Sequence, residues 1–179
     1  MSIHAASGSA TIESVARTEV AIISDTHLPR GSRRIPAACL GRLVAADLIV
    51  HAGDFSTIAA YEELLSLGPP LAGVHGNVDD EALRERLPEE RTVEAGGARI
   101  GVVHDAGPAR GRLARLRRRF PDADAVVFGH SHIPLHEAGH AFQIFNPGSP
   151  TERRRSPRHT MGVATVEGDQ IRFRRIALD

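Results

Sequence analysis

Six short clusters of polar residues stand directly after hydrophobic runs in this sequence. They supply seven side chains that can bind a metal ion, namely Asp25, His27, Asp54, Asn77, His104, His130 and His132. Carboxylate oxygen and imidazole nitrogen together suit Mn, Fe or Zn better than Ca. If these side chains converge, they are enough to hold two cations, and a water shared by two cations becomes hydroxide near neutral pH. The predicted chemistry is therefore hydrolysis at a two-metal centre.

The members of these clusters differ in what each could contribute. Asp54 follows Gly53, which allows a tight turn, and its two carboxylate oxygens can bridge two cations as no imidazole can. The amide oxygen of Asn77 adds no charge, which would keep a metal centre electrophilic. His130 and His132 alternate after an apolar run, and we expect extended backbone at this position, with each histidine serving a different ion. Taken singly, each cluster is also explained by a turn residue, a cap or a hydrogen-bonded histidine.

Short hydrophobic runs, bounded by Gly and Asp, predict the strands that must position these clusters. Five of the runs end at Ile23, Val50, Val74, Val103 and Phe128, directly before ligand-capable residues. Open α/β folds build their sites at the carboxyl edge of the sheet, where such strands end. The Asp, His and Asn side chains at these five strand ends are therefore expected to lie together.

The order of predicted elements divides the chain into two halves. The first half alternates strands with three predicted helices, at residues 35–46, 57–67 and 80–86. In the second half Gly96-Gly97 and Gly168-Asp169 predict two hairpins, and residues 110–120 predict an Arg-rich helix. His136 and His140 are expected in a connecting loop. The expected fold class is α/β, with two sheets packed face to face and helices outside.

Length and composition indicate one compact domain. We expect a flexible tail over residues 1–18, rich in Ser, Ala and Gly, and a single domain over residues 19–179. No apolar stretch reaches the roughly 20 residues that span a bilayer, and the start of the chain lacks the pattern of an export signal. The single Cys39 excludes an internal disulfide framework, and a formal net charge of zero gives no overall field that would attract nucleic acid or a membrane. These features predict a cytoplasmic protein with no membrane partner.

In their order and spacing the six clusters resemble the calcineurin-like metallophosphoesterase superfamily. The elements Gly129-His130-Ser131-His132-Ile133-Pro134 and Asn146-Pro147-Gly148-Ser149 look most like its small bacterial and archaeal phosphodiesterase branch. That branch also contains the retromer subunit of the same fold. The resemblance runs from about Val20 to the C-terminus. It implies a four-layer α/β/β/α sandwich of two mixed β-sheets flanked by helices, in agreement with the two sheets predicted above.

The resemblance also assigns the candidate ligands to two metal ions. It implies that Asp25, His27, Asp54 and His132 hold one ion, and that Asp54, Asn77, His104 and His130 hold the other. Asp54 would then be the bridge, and Asp54 and Asn77 would act in catalysis. Members of this family commonly use Mn, with Fe, Zn, Ni or Co as alternatives. Two divalent ions, two carboxylates and a hydroxide sum to about +1, which suits a singly charged phosphodiester.

One position departs from the family pattern. Many larger members have a histidine directly after the Gly-Asn pair as a general acid, whereas this chain has Val78, which cannot donate a proton. We hypothesise that His75 at the neighbouring position, or a metal-bound water, protonates the leaving group. His51, Asp79 and Ser149 are expected to orient the ligands or contact substrate, with an ordinary turn or hydrogen-bonding role as the alternative.

The resulting prediction is a metal-dependent phosphoesterase, and more specifically a phosphodiesterase that acts on a small phosphodiester. A catalytically silent protein-interaction scaffold on the same fold is the alternative, although a scaffold would be expected to have lost some of the seven ligands. A nuclease or nucleotide pyrophosphatase would use the same centre. Nucleic acid is a possible substrate but not a predicted partner, because a chain with one Tyr and no Trp has few aromatic rings on which bases could stack. The oligomeric state is left open.

Two Arg-rich stretches stand outside this constellation. The first, residues 110–119, is expected to form the solvated face of a helix. The second, Arg153-Arg154-Arg155 with Arg158, follows the Asn-Pro-Gly-Ser turn. It could therefore lie near the metal cleft and contact phosphate, which Arg binds in bidentate fashion.

Overall fold

The structure, a computed structural model, describes residues 17–179. The predicted flexible tail, residues 1–18, lies outside the described residues apart from Arg17 and Thr18, which begin the first strand. Along the chain the elements are β1 (Arg17–Ile23), α1 (Ala37–Ala45), β2 (Leu48–His51), α2 (Ile58–Leu65), β3 (Leu71–Gly73), α3 (Glu81–Arg86), β4 (Glu90–Ala95), β5 (Ala98–Val103), α4 (Arg112–Arg119), β6 (Ala125–Val127), β7 (Leu135–Gly139), β8 (Phe142–Asn146), β9 (Thr160–Glu167) and β10 (Gln170–Ala177). Within residues 17–179 no helix has both the length and the apolar character that crossing a bilayer requires.

The first sheet contains five strands in the order β10-β9-β1-β2-β3. Strands β1, β2 and β3 are parallel and are connected through α1 and α2, as the alternation of strands and helices predicts. Strand β9 pairs antiparallel with β1, and β10 completes the predicted hairpin around Gly168-Asp169. Because β1, β2 and β3 run in one direction, the residues that follow them meet at one edge of the sheet.

The second sheet also contains five strands, in the order β4-β5-β6-β8-β7. Strands β4 and β5 form the predicted hairpin around Gly96-Gly97, and β5, β6 and β8 are parallel. The sequence pattern misses β7, which pairs antiparallel with β8 and contains His136. The expected loop at this position is therefore wrong for His136. No residue of β7 is buried, so this edge strand has no apolar alternation that could have revealed it.

Three apolar clusters join the sheets and helices into four layers. The core between the sheets is buried and includes Val20, Ile22, Val50, Ile100 and Val127. A second cluster packs α1, α2 and α3 against the outer face of the first sheet. A third packs α4 against the outer face of the second sheet. This arrangement confirms the predicted α/β/β/α sandwich of two mixed sheets.

Two helices begin directly after loops that carry predicted metal ligands, and their first turns are fixed by side chains. Thr57 caps α2, because its hydroxyl accepts a hydrogen bond from the backbone N–H of Ala60 at 3.3 Å. Asp80 caps α3 by accepting from the N–H of Leu83 at 2.9 Å. The other oxygen of Asp80 accepts from the N–H of Ile58 at 3.0 Å, at the start of α2. Asp80 therefore ties the loop after β2 to the loop after β3.

We expect Gly162→Ala to lower the free energy of unfolding by about 1–3 kcal/mol, because the core between the sheets has no room for a methyl group. A Cβ at Gly162 in β9 would overlap the buried ring of Phe145. Chemical denaturation monitored by circular dichroism measures the change. Gly41→Ala is the matched control, since a Cβ on this exposed residue of α1 meets nothing within 4 Å. It should stabilise by about 0.5–1 kcal/mol. Equal effects of the two substitutions would contradict this packing.

Candidate metal centre

All seven predicted ligands lie at one edge of the sandwich. They follow β1, β2, β3, β5 and β6, as the strand pattern predicts. Five of them are buried, namely Asp25, His27, Asp54, His104 and His132. Asn77 and His130 are exposed. The cluster is therefore closed on its inner side and open to solvent where Asn77 and His130 lie.

Left-handed backbone is concentrated in this cluster. Five predicted ligands have positive φ angles, namely Asp25 (55°), His27 (46°), Asp54 (61°), His130 (67°) and His132 (58°). Such a conformation costs a non-glycine residue roughly 1–3 kcal/mol and is typical of functional sites. The expected extended backbone at His130 and His132 is therefore wrong. The two rings still face different partners, because each turn directs its side chain separately.

Two glycines allow the loops to approach the carboxylates. A Cβ on Gly76 would overlap the carboxylate of Asp54. A Cβ on Gly129 would lie 2.8 Å from Oδ2 of Asp25. Any larger residue at either position would push the carboxylate away from its neighbours, so these glycines are required by the close contact.

The first group of side chains consists of Asp25, His27 and His132. One potential ligand atom from each lies within 4.8 Å of the others. The Nε2 atoms of His27 and His132 are 3.2 Å apart, and Nε2 of His132 is 3.3 Å from Oδ1 of Asp25. Nδ1 of His132 donates to the backbone oxygen of Glu152 at 2.6 Å. In the neutral ring, Nε2 of His132 therefore presents a lone pair toward Asp25.

The second group consists of Asp54, Asn77, His104 and His130. Oδ1 of Asn77 is 3.1 Å from Nε2 of His104 and 3.0 Å from Nδ1 of His130. Nε2 of His104 is also 3.3 Å from Oδ2 of Asp54. Nδ1 of His104 donates to the backbone oxygen of Ala52 at 2.7 Å. The Nε2 lone pair of the neutral ring therefore points at two oxygen atoms that can only accept.

Both aspartates lie between the two groups. Oδ2 of Asp54 is 3.3 Å from Nε2 of His104 and 3.8 Å from Nε2 of His27. Ligand atoms of Asp25, Asp54 and His104 also lie within 4.8 Å of one another. Asp25 thus comes within reach of the second group, although the family resemblance assigns it only to the first.

These contacts test whether the residues fit divalent cations. Oδ1 of Asp25 is buried and has no hydrogen-bond partner among the residues that the structure describes. It faces a histidine nitrogen that, in the neutral ring, also offers a lone pair. Buried acceptors that face one another are unfavourable unless a cation or a proton lies between them. The mixed oxygen and nitrogen donors therefore fit divalent cations of the Mn, Fe and Zn type.

The pKa values of these groups follow from the same arrangement. Burial raises the pKa of Asp25 to about 7. Burial would also raise the pKa of Asp54, but the hydrogen bond to His104 and the charge of that ring lower it to about 2. Asp54 in turn raises the pKa of His104, against the effect of burial. Burial lowers the pKa of His132 to about 4, so this ring is neutral at pH 7.

The three residues expected to orient the ligands all contact them or their loops. Asp79 accepts hydrogen bonds from the backbone N–H groups of Asp54, Ser56 and Gly76 at 3.1, 2.7 and 2.7 Å. The Ser149 hydroxyl donates to the backbone oxygen of Asp25 at 2.8 Å. Nε2 of the buried His51 is 3.0 Å from the hydroxyl of Thr26. Apart from the bond between Gly76 and Asp79, each of these contacts joins segments that lie more than 20 residues apart in the sequence.

Thr151 and Glu152, which follow the Asn-Pro-Gly-Ser element after Pro150, are not predicted from the sequence. The Thr151 hydroxyl donates to the backbone oxygen of Thr26 at 2.7 Å. Glu152 accepts from His132 through its backbone, and its carboxylate lies 3.9 Å from Nε2 of His27. An ion pair of 3.1 Å with Arg33 holds that carboxylate. Their position after the motif was the available signal, but only the folded chain brings them against the ligands.

His75 lies beside the cluster and belongs to neither group. Its half-buried ring lines a cavity of about 210 Å³ together with Asn77, His104 and His130. Val78 is exposed, with 46% of its surface accessible. The structure thus places His75 next to the ligands that face solvent.

Comparison with known proteins agrees with this geometry. The sequence profile of the calcineurin-like phosphoesterase superfamily domain matches residues 19–169. A probable metallophosphoesterase of Methanothermobacter thermautotrophicus is 32% identical over 154 residues, which cover 85% of this chain and 88% of that protein. The chain therefore belongs to the calcineurin-like phosphoesterase superfamily, a family of metal-dependent phosphoester hydrolases.

Solved structures share the fold. Vps29 of Chaetomium thermophilum has a TM-score of 0.73 and 21% identity, and the match covers 89% of this chain and 97% of that one. Vps29 of Entamoeba histolytica, solved in complex with zinc, has a TM-score of 0.68 and 22% identity over 90% of this chain and 99% of that one. At these identities the likeness establishes the common fold.

Metal binding near pH 6 should release protons, because Asp25 and His104, whose pKa values are both raised, hold protons there until a cation replaces them. With a pKa of about 7, Asp25 is mostly protonated at pH 6 and ionised above pH 8, so the release should fall as the pH rises. His132 is neutral throughout this range and contributes none. Calorimetry of Mn binding in buffers of different ionisation enthalpy measures the protons released.

A second variant checks the assignment to Asp25. The Ser24 hydroxyl donates to Oδ2 of Asp25 at 2.6 Å and lowers the pKa of that carboxyl. Ser24→Ala should therefore move the loss of proton release to higher pH. Proton release that is independent of pH between 6 and 9, or unchanged in Ser24→Ala, would contradict this account.

Proposed function

We propose that this protein is a binuclear, metal-dependent phosphodiesterase. The observation that carries the proposal is the convergence of buried acceptor atoms at Asp25, Asp54, His104 and His132, whose lone pairs face one another when both histidines are neutral. Membership of the calcineurin-like phosphoesterase superfamily supports hydrolysis of a phosphoester. Asp25, His27, Asp54 and His132 would hold one cation, and Asp54, Asn77, His104 and His130 the other.

The bound pair of cations would activate water as the nucleophile and take up charge on the phosphate oxygens. The residues around the cations then determine from which side the substrate binds and which charge it carries. Asn77 and His130 face solvent, so substrate approaches from their side. Asn77 adds no charge, and only two carboxylates, Asp25 and Asp54, offset the positive charge. The remaining charge of about +1 in the presence of hydroxide favours a monoanionic phosphodiester.

His75 is our candidate for the group that protonates the leaving alkoxide. Its ring lines the cavity beside Asn77 and His130, and its Nδ1 lies 3.5 Å from the backbone oxygen of Gly76. A general acid must lie near the leaving group, and this cavity is open to solvent on the side from which we expect the substrate. Val78 has no proton to donate, so the position used in larger relatives does not fill this role.

A protein-interaction scaffold is the competing function, because Vps29 proteins share this fold. The retained ligands argue against it. All seven predicted positions carry ligating side chains, and they lie in contact rather than scattered over the surface. A chain released from selection for catalysis would not need left-handed backbone at five ligand positions, each of which costs stability.

Hydrolysis of a bis-aryl phosphate by the Mn-loaded protein tests the proposal. We expect turnover with Mn that a chelator abolishes, and activity lost to that level in Asp54→Asn. Asp122→Asn is the control, because Asp122 is an exposed carboxylate in the turn after α4. Absence of hydrolysis by protein that has taken up two equivalents of metal would contradict the proposal and favour the scaffold.

His75→Ala should slow the hydrolysis of alkyl esters by about 100-fold, which is the usual contribution of a general acid. Aryl esters should be slowed far less, because an aryl oxide leaves without a proton. The ratio of kcat/KM for matched alkyl and aryl diesters measures the effect. His140→Ala, which changes an exposed histidine in the β7–β8 turn, should leave the ratio unchanged. Equal slowing of both esters by His75→Ala would show that His75 is not the acid.

A further inference from the structure

A cavity of about 390 Å³ lies beside the metal centre and is lined by three arginines. Arg155, Arg158 and Arg175 surround it, and Ile133 and Pro134 form an apolar wall. No acidic side chain lines it. Arg155 and Arg158 belong to the second Arg-rich stretch of the sequence, whereas Arg175 lies near the end of β10. The fold therefore brings three like charges together around one concave surface.

Two segments connect this cavity directly to the metal centre. Ile133 follows His132, one of the predicted ligands, and consecutive Cα atoms are about 3.8 Å apart. Arg155 follows Arg154, whose Nη1 lies 3.5 Å from the backbone oxygen of His130. Arg154 also has left-handed backbone, with φ of 46°, like the ligands themselves. Arg154 thus lies between the cavity and the cluster.

The cavity opens at the same edge of the first sheet as the ligands. Strand β9 begins at Thr160, which lines the cavity and pairs with Ala177 at the end of β10. Because β9 is antiparallel to β1, this start of β9 lies at the carboxyl end of β1, where Asp25 follows. A substrate that occupies the metal centre can therefore extend into the cavity along one edge of the sandwich.

The three arginines differ from other arginines near the site in having no partner. Among residues 17–179, the guanidinium groups of Arg155, Arg158 and Arg175 form neither an ion pair nor a hydrogen bond with the protein. In contrast, Arg30 and Arg33 both lie within ion-pair distance of Glu152. The nearby carboxylate of Asp179 is occupied by His159 at 3.0 Å. Three unpaired guanidinium groups around one cavity repel one another, and an anion would relieve that repulsion.

We propose that the arginine-lined cavity binds a second phosphate of the substrate, one that is not hydrolysed. The inference rests on the proposed function and narrows it to phosphodiesters that carry a further phosphate group. Guanidinium groups bind phosphate oxygens in bidentate fashion, and Arg154 would line the path between the two phosphates. A substrate with only the scissile phosphate occupies the metal centre and leaves the cavity to solvent.

Binding of simple phosphates to the Mn-loaded protein tests this inference without any need for turnover. The probes are alkanediol bisphosphates with three to six carbons, each compared with the monoalkyl phosphate of the same length by calorimetry. We expect the best bisphosphate to bind at least about fivefold more tightly than its monophosphate, as about 1 kcal/mol of extra interaction gives. The advantage should shrink at high salt, because the arginines are exposed.

Matched variants assign the advantage to the cavity. The double substitution Arg158→Ala and Arg175→Ala should remove the preference for bisphosphates and leave hydrolysis of a bis-aryl phosphate unchanged. Arg118→Ala, which removes an exposed arginine of α4 on the second sheet, should keep the preference. Equal affinities for both probes in the wild type, or a preference that survives the double substitution, would overturn the inference. Loss of bis-aryl phosphate hydrolysis in the double variant would also contradict a separate subsite. Failure of wild-type hydrolysis bears on the proposed function alone.

Discussion

The candidate metal centre is defined by buried hydrogen-bond acceptors that face one another at one edge of the two sheets. When the rings are neutral, the hydrogen bonds that Nδ1 donates leave the Nε2 lone pairs of His132 and His104 directed at Asp25 and Asp54. Oδ1 of Asp25 has no donor among the residues that the structure describes. In water each atom would find a donor, but this cluster is largely buried. Only positive charge resolves such a conflict. A proton can supply part of this positive charge, and burial accordingly raises the pKa of Asp25 to about 7. Divalent cations supply the charge fully.

The fold holds this unfavourable arrangement because the ligands come from separate, rigid elements. Parallel strands deliver them to one edge, and left-handed turns direct their side chains inward. Contacts of long sequence separation then fix their positions, such as the bond from Ser149 to the backbone of Asp25, 124 residues away. The site therefore exists only in the folded chain. Cation binding and folding stabilise each other, since the unfolded chain cannot present the ligands together.

Much of this architecture can be predicted from the sequence, because the local patterns of apolar runs and turn residues agree with the overall fold. Apolar runs of strand length shortly before Asp25, Asp54 and His104 are sufficient to place the ligands near strand ends. The turn dipeptides Gly96-Gly97 and Gly168-Asp169 are sufficient to predict both long hairpins. The same reasoning fails at β7, where no buried residue marks the strand, and at His130 and His132, whose backbone conformation depends on the carboxylate that their loop must reach. Glu152 and Arg175 are not predicted, because Glu152 meets His27 and Arg33 across more than 100 residues and Arg175 reaches the cavity only through the pairing of β10 with β9.

The direct test of the account is anomalous diffraction from crystals grown with Mn, measured at an energy where Mn scatters anomalously. Two peaks are expected at the edge of the sandwich. One should lie among Asp25, His27 and His132, the other among Asp54, Asn77, His104 and His130, and the two ions should share an aspartate. A single peak, or peaks outside this cluster in crystals with enough metal to fill both positions, would contradict the central claim that the converging acceptors hold a pair of cations.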